Sequence, residues 1–251
     1  MNKGKISVES RNGVGYITFY HPSSNSFPST LLKELQQTFQ RLDNDSDVKS
    51  IVLQSEGRTF CAGASFDELL SLETHEQAVN FFMGFANVIN TIRKTKKIII
   101  AKVQGKAVGG GVGLIAASDY AMATDLAAIK LSELSIGIGP FVIAPAVKRK
   151  IGIAAFSEMS INATKWHTAF WAREKGLFAQ VFDNQNQLDE EVELLAEKLA
   201  GYDKVATEKL KQEIWLGTEN WDKYLAEKAE ISAGLVLQEF TREKLLSFKK
   251  K

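Results

Sequence analysis

Cysteine is almost absent from this chain of 251 residues. The one example, Cys61, rules out an internal disulfide framework and fits a reducing compartment. The three histidines, His21, His75 and His167, are scattered, and none has the spacing of a metal site. No Gly-x-Ser-x-Gly elbow exists to carry a serine nucleophile, and no Gly-Lys-Ser/Thr follows a glycine run to make a P-loop. Apolar runs such as Ile98–Ala101 fall far short of the roughly 20 residues of a membrane span. Neither sign of charge dominates: 31 Lys+Arg against 30 Asp+Glu leave a net charge of +1, with no basic half to attract nucleic acid. Nothing in Met1–Lys5 reads as an export signal, because it leads straight into the alternating Ile6–Ser7–Val8. The expectation is a cytoplasmic protein with no membrane or nucleic-acid partner.

What is present is a globular composition, 45% hydrophobic and 24% charged. A chain of this length buries roughly 70–75% of the surface its unfolded form exposes, enough for a core without staples. Asn12–Gly13 between the runs Ile6–Glu9 and Gly13–Tyr20 predicts a hairpin. Pro28–Ser29 opens a helix with Leu31, Leu32, Leu35, Phe39 and Leu42 on one face. Ser50–Gln54 and Ile98–Val103 read as buried strands, and Tyr120–Ala123 and Ala128–Leu131 as short ones. Ser65 with Glu68, and Thr74 with Gln77, have capping-box spacing, and Pro140 is the expected first residue of the helix carrying Val147. Beyond Asn184 glycine becomes rare, and Glu190–Ala200, Lys204–Trp215 and Asn220–Phe240 read as amphipathic helices. The expected division is a body over 1–190 and a helical region over 191–251. The final Phe248–Lys251 reads as a solvated tail.

Two loops carry the candidate chemistry. The first centres on Gly109–Gly110–Gly111 and Gly113, where missing side chains let a ligand approach backbone amides at a helix N-terminus. Such a site suits an oxyanion, either a phosphate or an enolate oxygen. The segment also matches a dinucleotide fingerprint, Gly111-x-Gly113-x-x-Ala116 with Glu133 twenty residues past Gly113, but about a hundred structured residues precede it, unlike a Rossmann unit. The second loop, Thr59–Ser65, again runs small residues into a capped helix, so the two loops could offer two N–H donors to one oxygen. Cys61 within it reads as a packing residue. Glu133, in Leu131-Ser-Glu-Leu134, sits among apolar neighbours that would raise its pKa and suit it to proton transfer; a surface or capping role is equally compatible.

These segments, Phe60-Cys-Ala-Gly-Ala-Ser-Phe-Asp-Glu-Leu69, Ala101–Asp119 and Leu131-Ser-Glu-Leu-Ser-Ile-Gly-Ile-Gly-Pro140, stand in the order and at the spacing of the crotonase, or enoyl-CoA hydratase/isomerase, superfamily, which the chain resembles over nearly its whole length. The resemblance implies an α/β spiral of ββα units with a C-terminal helical region that builds a homotrimer or a dimer of trimers. It implies an acyl-CoA substrate, with coenzyme A as part of that substrate and no separate cofactor or metal. The thioester oxygen would accept from the backbone N–H groups of Ala64 and Gly110, with Glu133 as acid and base. Ala62, Gly63, Ser65, Phe66, Gly109, Gly113 and Ser132 would surround the substrate.

The chain also departs from the pattern. Hydratases of the superfamily usually carry two glutamates, and the first falls at Gly113, so only Glu133 remains. The acidic residue usual after the loop alanine is Ser65, a lysine often used against CoA corresponds to Asp67, and the extra aspartate of dienoyl isomerases falls near Phe141. One glutamate suits a 3,2-enoyl-CoA isomerase. The stretch Leu-Ser-Glu…Gly-Pro-Phe-Val-Ile-Ala-Pro looks like bacterial methylglutaconyl-CoA-hydratase-like members, which also lack the first glutamate, and this tilts the expectation toward hydratase. Gly113 and Ser65 also leave room for a catalytically degenerate CoA-binding or scaffold protein. Acyl specificity would reside in side chains between about Ser71 and Asn90 and in Gly139–Ala146.

Overall fold

The computed structural model of the chain describes residues 4–249; Met1–Lys3 and the last two lysines of the basic end lie outside the described residues. Asn12 and Gly13 take φ values of 52° and 77°, the left-handed pair that a tight hairpin turn requires. They join β1 (Lys5–Arg11) to β2 (Val14–Tyr20). The helix α1 (Ser29–Asn44) follows Pro28 and buries the expected leucine and phenylalanine stripe. Then come β3 (Ser50–Ser55), β4 (Thr59–Cys61), α2 (Phe66–Ser71) and α3 (His75–Lys94). A second turn repeats the order as β5 (Ile98–Val103), β6 (Lys106–Val108) and α4 (Gly110–Ala117). A third repeats it as β7 (Tyr120–Thr124), β8 (Ala128–Lys130), a 3-10 turn (Glu133–Ile136) and α5 (Ala144–Ile161).

Each turn gives its first strand to one sheet and its second to another. The larger sheet runs β1-β2-β3-β5-β7-β10, parallel except for the hairpin, with β10 being Gln180–Phe182. The smaller runs β4-β6-β8-β9, where β9 is His167–Thr168. Between β9 and β10 lies α6 (Ala169–Glu174). This is the ββα spiral expected from the sequence. It also places the C-terminal ends of β4, β6 and β8 side by side, because those three strands pair in parallel with Cys61 opposite Ala107 and Val108 opposite Lys130.

The helical region departs from a simple appendage. The helix α7 (Gln185–Ala200) runs through residue 190 and lays Leu188, Val192 and Ala196 on the far face of the larger sheet, against Val14, Tyr16, Val52, Ile100 and Met122. After α8 (Lys204–Ile214), the stretch expected as one helix over Asn220–Phe240 is two, α9 (Trp221–Val236) and α10 (Glu239–Lys249). The break at Leu237–Gln238 has no glycine or proline; it lets α10 turn back so that Leu245 and Thr241 become fully buried. Pro140 does not begin a helix either: α5 starts at Ala144 with Pro145 in its first turn, where a missing N–H costs nothing. Thr74 and Gln77 form a full capping box, whereas Ser65 and Glu68 form half of one, since the Glu68 carboxylate instead accepts from the Ser29 amide and hydroxyl. Among the described residues no helix is long and apolar enough to cross a membrane.

A buried ion pair fastens the tail to the spiral. Asp119 accepts from Lys211 Nζ at 2.6 Å, Trp215 Nε1 at 2.7 Å and the Ile99 amide at 2.8 Å. Both ionic side chains are almost wholly buried, and burial pulls the Lys211 pKa down against the pull of Asp119. Removing one partner strands the other charge in the interior. Asp119→Ala should therefore cost about 3–5 kcal/mol in chemical denaturation, and Asp119→Ala with Lys211→Met should recover a large part of it.

Candidate active site

Three loops meet where β4, β6 and β8 end. The loop after β4 is held by Phe27, whose N–H donates to the Gly63 carbonyl at 2.8 Å and whose carbonyl accepts from the Ser65 N–H at 3.1 Å. In that parallel bridge the Ala64 N–H points the other way and donates to no group among the described residues. After β6, the Gly109 N–H is taken by the Lys130 carbonyl at 2.9 Å, and α4 begins at Gly110. The Gly110 N–H likewise has no acceptor among the described residues, as the first turn of a helix dictates. The two loops are in contact: a Cβ placed on Gly63 would lie 2.8 Å from the Val108 carbonyl oxygen and 3.5 Å from the Gly110 nitrogen.

The third loop delivers the carboxylate. Glu133 opens the 3-10 turn, which is closed by the Ser135 N–H on the Ser132 carbonyl and the Ile138 N–H on the Glu133 carbonyl. Its side chain crosses to the glycines: a Cβ on Gly109 would sit 2.6 Å from Glu133 Oε1. Gly109 also has φ of 52° with ψ of −116°, a conformation that side chains disfavour, so two independent constraints demand glycine there. The other carboxylate oxygen, Oε2, is sealed from solvent without a hydrogen-bond partner among the described residues. Burial raises the Glu133 pKa to about 7, opposed only by its own backbone amide.

Ala62, Gly63, Ala64, Phe66, Gly109, Gly110, Ser132 and Glu133 all line one cavity of ≈ 60 Å³. Among the described residues Glu133 is the only ionisable one in its wall. Two residues singled out by sequence lie outside that wall. Ser65 caps α2 by accepting from the Glu68 N–H, and Gly113 is buried within α4, where a Cβ would come 2.3 Å from Ile143 Cγ2. Ile143 itself lines the cavity, so an isoleucine fills the space beside the missing side chain. Phe82, Phe85, Phe141 and Ile143 come from the two segments expected to set specificity. Ser232 on α9 was missed; it lies in an amphipathic stretch with no motif, and only the packing of α9 on α3 brings it to the cavity.

Other polar candidates fall away on geometry. Cys61 is fully buried against Gly111, its thiol is pushed up to about 12, and a neutral thiol is a poor nucleophile. The glycines of the dinucleotide-like run lie inside α4 and pack on Cys61 and Ile143 rather than facing a ligand. Among the described residues no three His, Cys, Asp or Glu side chains converge as metal ligands. What remains is a small apolar cavity with two free amides on one side and one near-neutral carboxyl on the other. It can stabilise an oxygen anion while moving a proton on a neighbouring carbon.

Comparison with known proteins bears on that chemistry. A family model described as enoyl-CoA hydratase/isomerase matches residues 9–248. A Bacillus subtilis (strain 168) protein named "Probable enoyl-CoA hydratase" is 30% identical over 78% of this chain and 76% of its own. The peroxisomal Delta(3,5)-Delta(2,4)-dienoyl-CoA isomerase of Arabidopsis thaliana is 26% identical over 78% of this chain and 75% of its own. The crystal structure of an enoyl-CoA hydratase from Mycobacterium avium superposes with a TM-score of 0.85 at 25% identity, covering 98% of this chain and 96% of that one.

The buried carboxyl has a consequence for stability. Folded Glu133 keeps its proton up to about pH 7, whereas the unfolded side chain loses it near 4.5, so stability falls as pH rises through that window. Glu133→Gln removes the penalty. The variant should be more stable than the parent by ~1–3 kcal/mol at pH 8 and nearly equal to it at pH 4.5, as read by denaturant unfolding at both values.

Proposed function

The chain belongs to the enoyl-CoA hydratase/isomerase family, and on that premise we propose that it shifts the double bond of an enoyl-CoA by proton transfer through Glu133. The carboxylate removes a proton from C2 of a 3-enoyl thioester. The electrons move to the thioester oxygen, which the Ala64 and Gly110 N–H groups stabilise as an enolate. The same proton returns at C4, and the 2-enoyl thioester leaves with Glu133 ready for another cycle. No cofactor is needed beyond the coenzyme A of the substrate. The observation that carries this reading is the single ionisable residue of the cavity, with Ile143 filling the space beside Gly113. A pKa of about 7 lets one group act as base and then as acid near neutrality.

Hydration of a 2-enoyl-CoA is the second reading, supported by the sequence likeness and by the names of the Bacillus subtilis and Mycobacterium avium relatives. It requires a water held across the double bond, and the wall offers no second carboxylate to hold it. The family likeness also supports assembly as a trimer, which light scattering would report as three times 27.8 kDa.

Purified protein assayed with panels of 3-enoyl- and 2-enoyl-CoA thioesters separates the readings. Conversion of 3-enoyl substrates is expected, with kcat/KM rising tenfold per unit up to a plateau above about pH 7, because only ionised Glu133 accepts the proton. Glu133→Gln should lower turnover by about 10²–10⁴-fold. Formation of 3-hydroxyacyl-CoA from 2-enoyl substrates would establish hydration instead. Turnover that survives Glu133→Gln would remove the base from the mechanism, and binding without turnover of any acyl-CoA would mark a CoA-binding protein.

A further inference from the structure

The C-terminal helix α10 touches both the Glu133 turn and α2. On one side Phe240 and Thr241 close over Gly137, the left-handed residue that ends the Glu133 turn: a Cβ there would lie 2.6 Å from Thr241 Oγ1 and 2.8 Å from a Phe240 ring carbon. On the other side Arg242 donates to the Leu72 carbonyl at 2.7 Å, and Leu72 is the residue that ends α2. Phe248 meets Phe66, at the start of α2, edge to face with centroids 6.1 Å apart. Leu245 is fully buried between these two attachments along the helix. The loop bearing the Ala64 amide runs directly into α2, so α10 spans from the donor side of the cavity to the base side.

We propose that α10 is a clasp, with Phe240, Thr241 and Arg242 as positioning residues that fix the Glu133 turn relative to α2 and keep water from the Glu133 carboxyl. The proposal rests on Glu133 being the base. Among the described residues no other charge acts on that group. From α10, uncharged Phe240 and Thr241 face the turn, Arg242 is engaged by the Leu72 carbonyl, Lys244 lies over the Phe240 ring, and Glu239 and Glu243 are exposed. From α5, Lys148 lies over Phe156, Arg149 over Trp215, and Lys150 donates to the Asp119 carbonyl, while Glu158 pairs with Lys165. On α2, Glu68 is held by Ser29, and Asp67 acts on His21. Burial is the cause that raises the proton affinity of Glu133, so opening the clasp should show there first.

The test is a carbon-13 NMR titration of protein labelled at the glutamate carboxyls, with the Glu133 signal assigned through Glu133→Gln. In the parent the midpoint is expected near 7. Phe240→Ala should lower it by about one unit or more toward the exposed value, Phe240→Leu by less, and Arg242→Ala should lower it with recovery in Arg242→Lys. The acid limb of the pH–rate profile should move by the same amount, with kcat falling more than KM rises. Folded variants, Phe240→Leu included, whose Glu133 midpoint stays where the parent's lies would overturn the clasp. A chain that turns over no acyl-CoA but still shows the lowered midpoint would defeat the proposed reaction and leave the clasp standing.

Discussion

Everything at the site hangs on the parallel pairing of three very short strands. β4, β6 and β8 are three residues each, yet their register decides that Ala64, Gly110 and Glu133 meet although 46 and 23 positions separate them in the chain. Strands this short contribute little pairing energy of their own. Their alignment is imposed from behind, where the longer strands β3, β5 and β7 pair in the larger sheet and the helices bury the core between the two sheets. A slip of one residue in β6 would turn Ala107 outward and move the Gly110 amide away from the Ala64 loop. The chemistry is thus a property of the spiral repeat rather than of any one motif.

That constraint explains why glycine is concentrated here. Gly109 leaves room for the carboxylate, and Gly110 leaves room for Phe85, whose ring a Cβ would meet at 2.3 Å. Side chains at these points would clash with Glu133 and with Phe85. The surrounding wall of phenylalanine and isoleucine then acts twice. It lowers the local dielectric, which would strengthen any hydrogen bond that the free Ala64 and Gly110 amides make to a bound oxygen, and it desolvates Glu133, which raises its proton affinity. A net charge of +1 carries no trace of this, since the free donors at the cavity are neutral backbone amides.

Much of this was legible in the sequence because it depends on local chemistry. The hairpin at Asn12–Gly13, the α1 stripe, the capping box at Thr74 and the strand ends feeding glycine or Glu133 are all written in short windows. What was not legible depends on long-range packing. The half box at Ser65 arises because Ser29, 39 positions from Glu68, claims its carboxylate. The break between α9 and α10 has no local breaker, and Ser232 enters the cavity only through helix packing. Likewise, Gly113 reads as a missing side chain until Ile143 is seen to occupy its volume.

The exchange of volume between Gly113 and Ile143 also bears on how Glu133 titrates. Two carboxylates sharing this cavity would couple, and their protons would leave in two steps belonging to the pair. Like-charge repulsion would add to burial and push one of them further up. With an isoleucine in place of a second acid, burial, opposed only by the backbone amide of Glu133, sets the affinity, so Glu133 titrates as one group near 7. A group with that affinity gives and takes a proton with nearly equal ease at neutral pH, which is the requirement for moving one proton between two carbons of the same substrate. The apolar filling therefore bears on the acid–base behaviour of Glu133, because it leaves burial to raise that group's proton affinity with no second carboxylate beside it among the described residues.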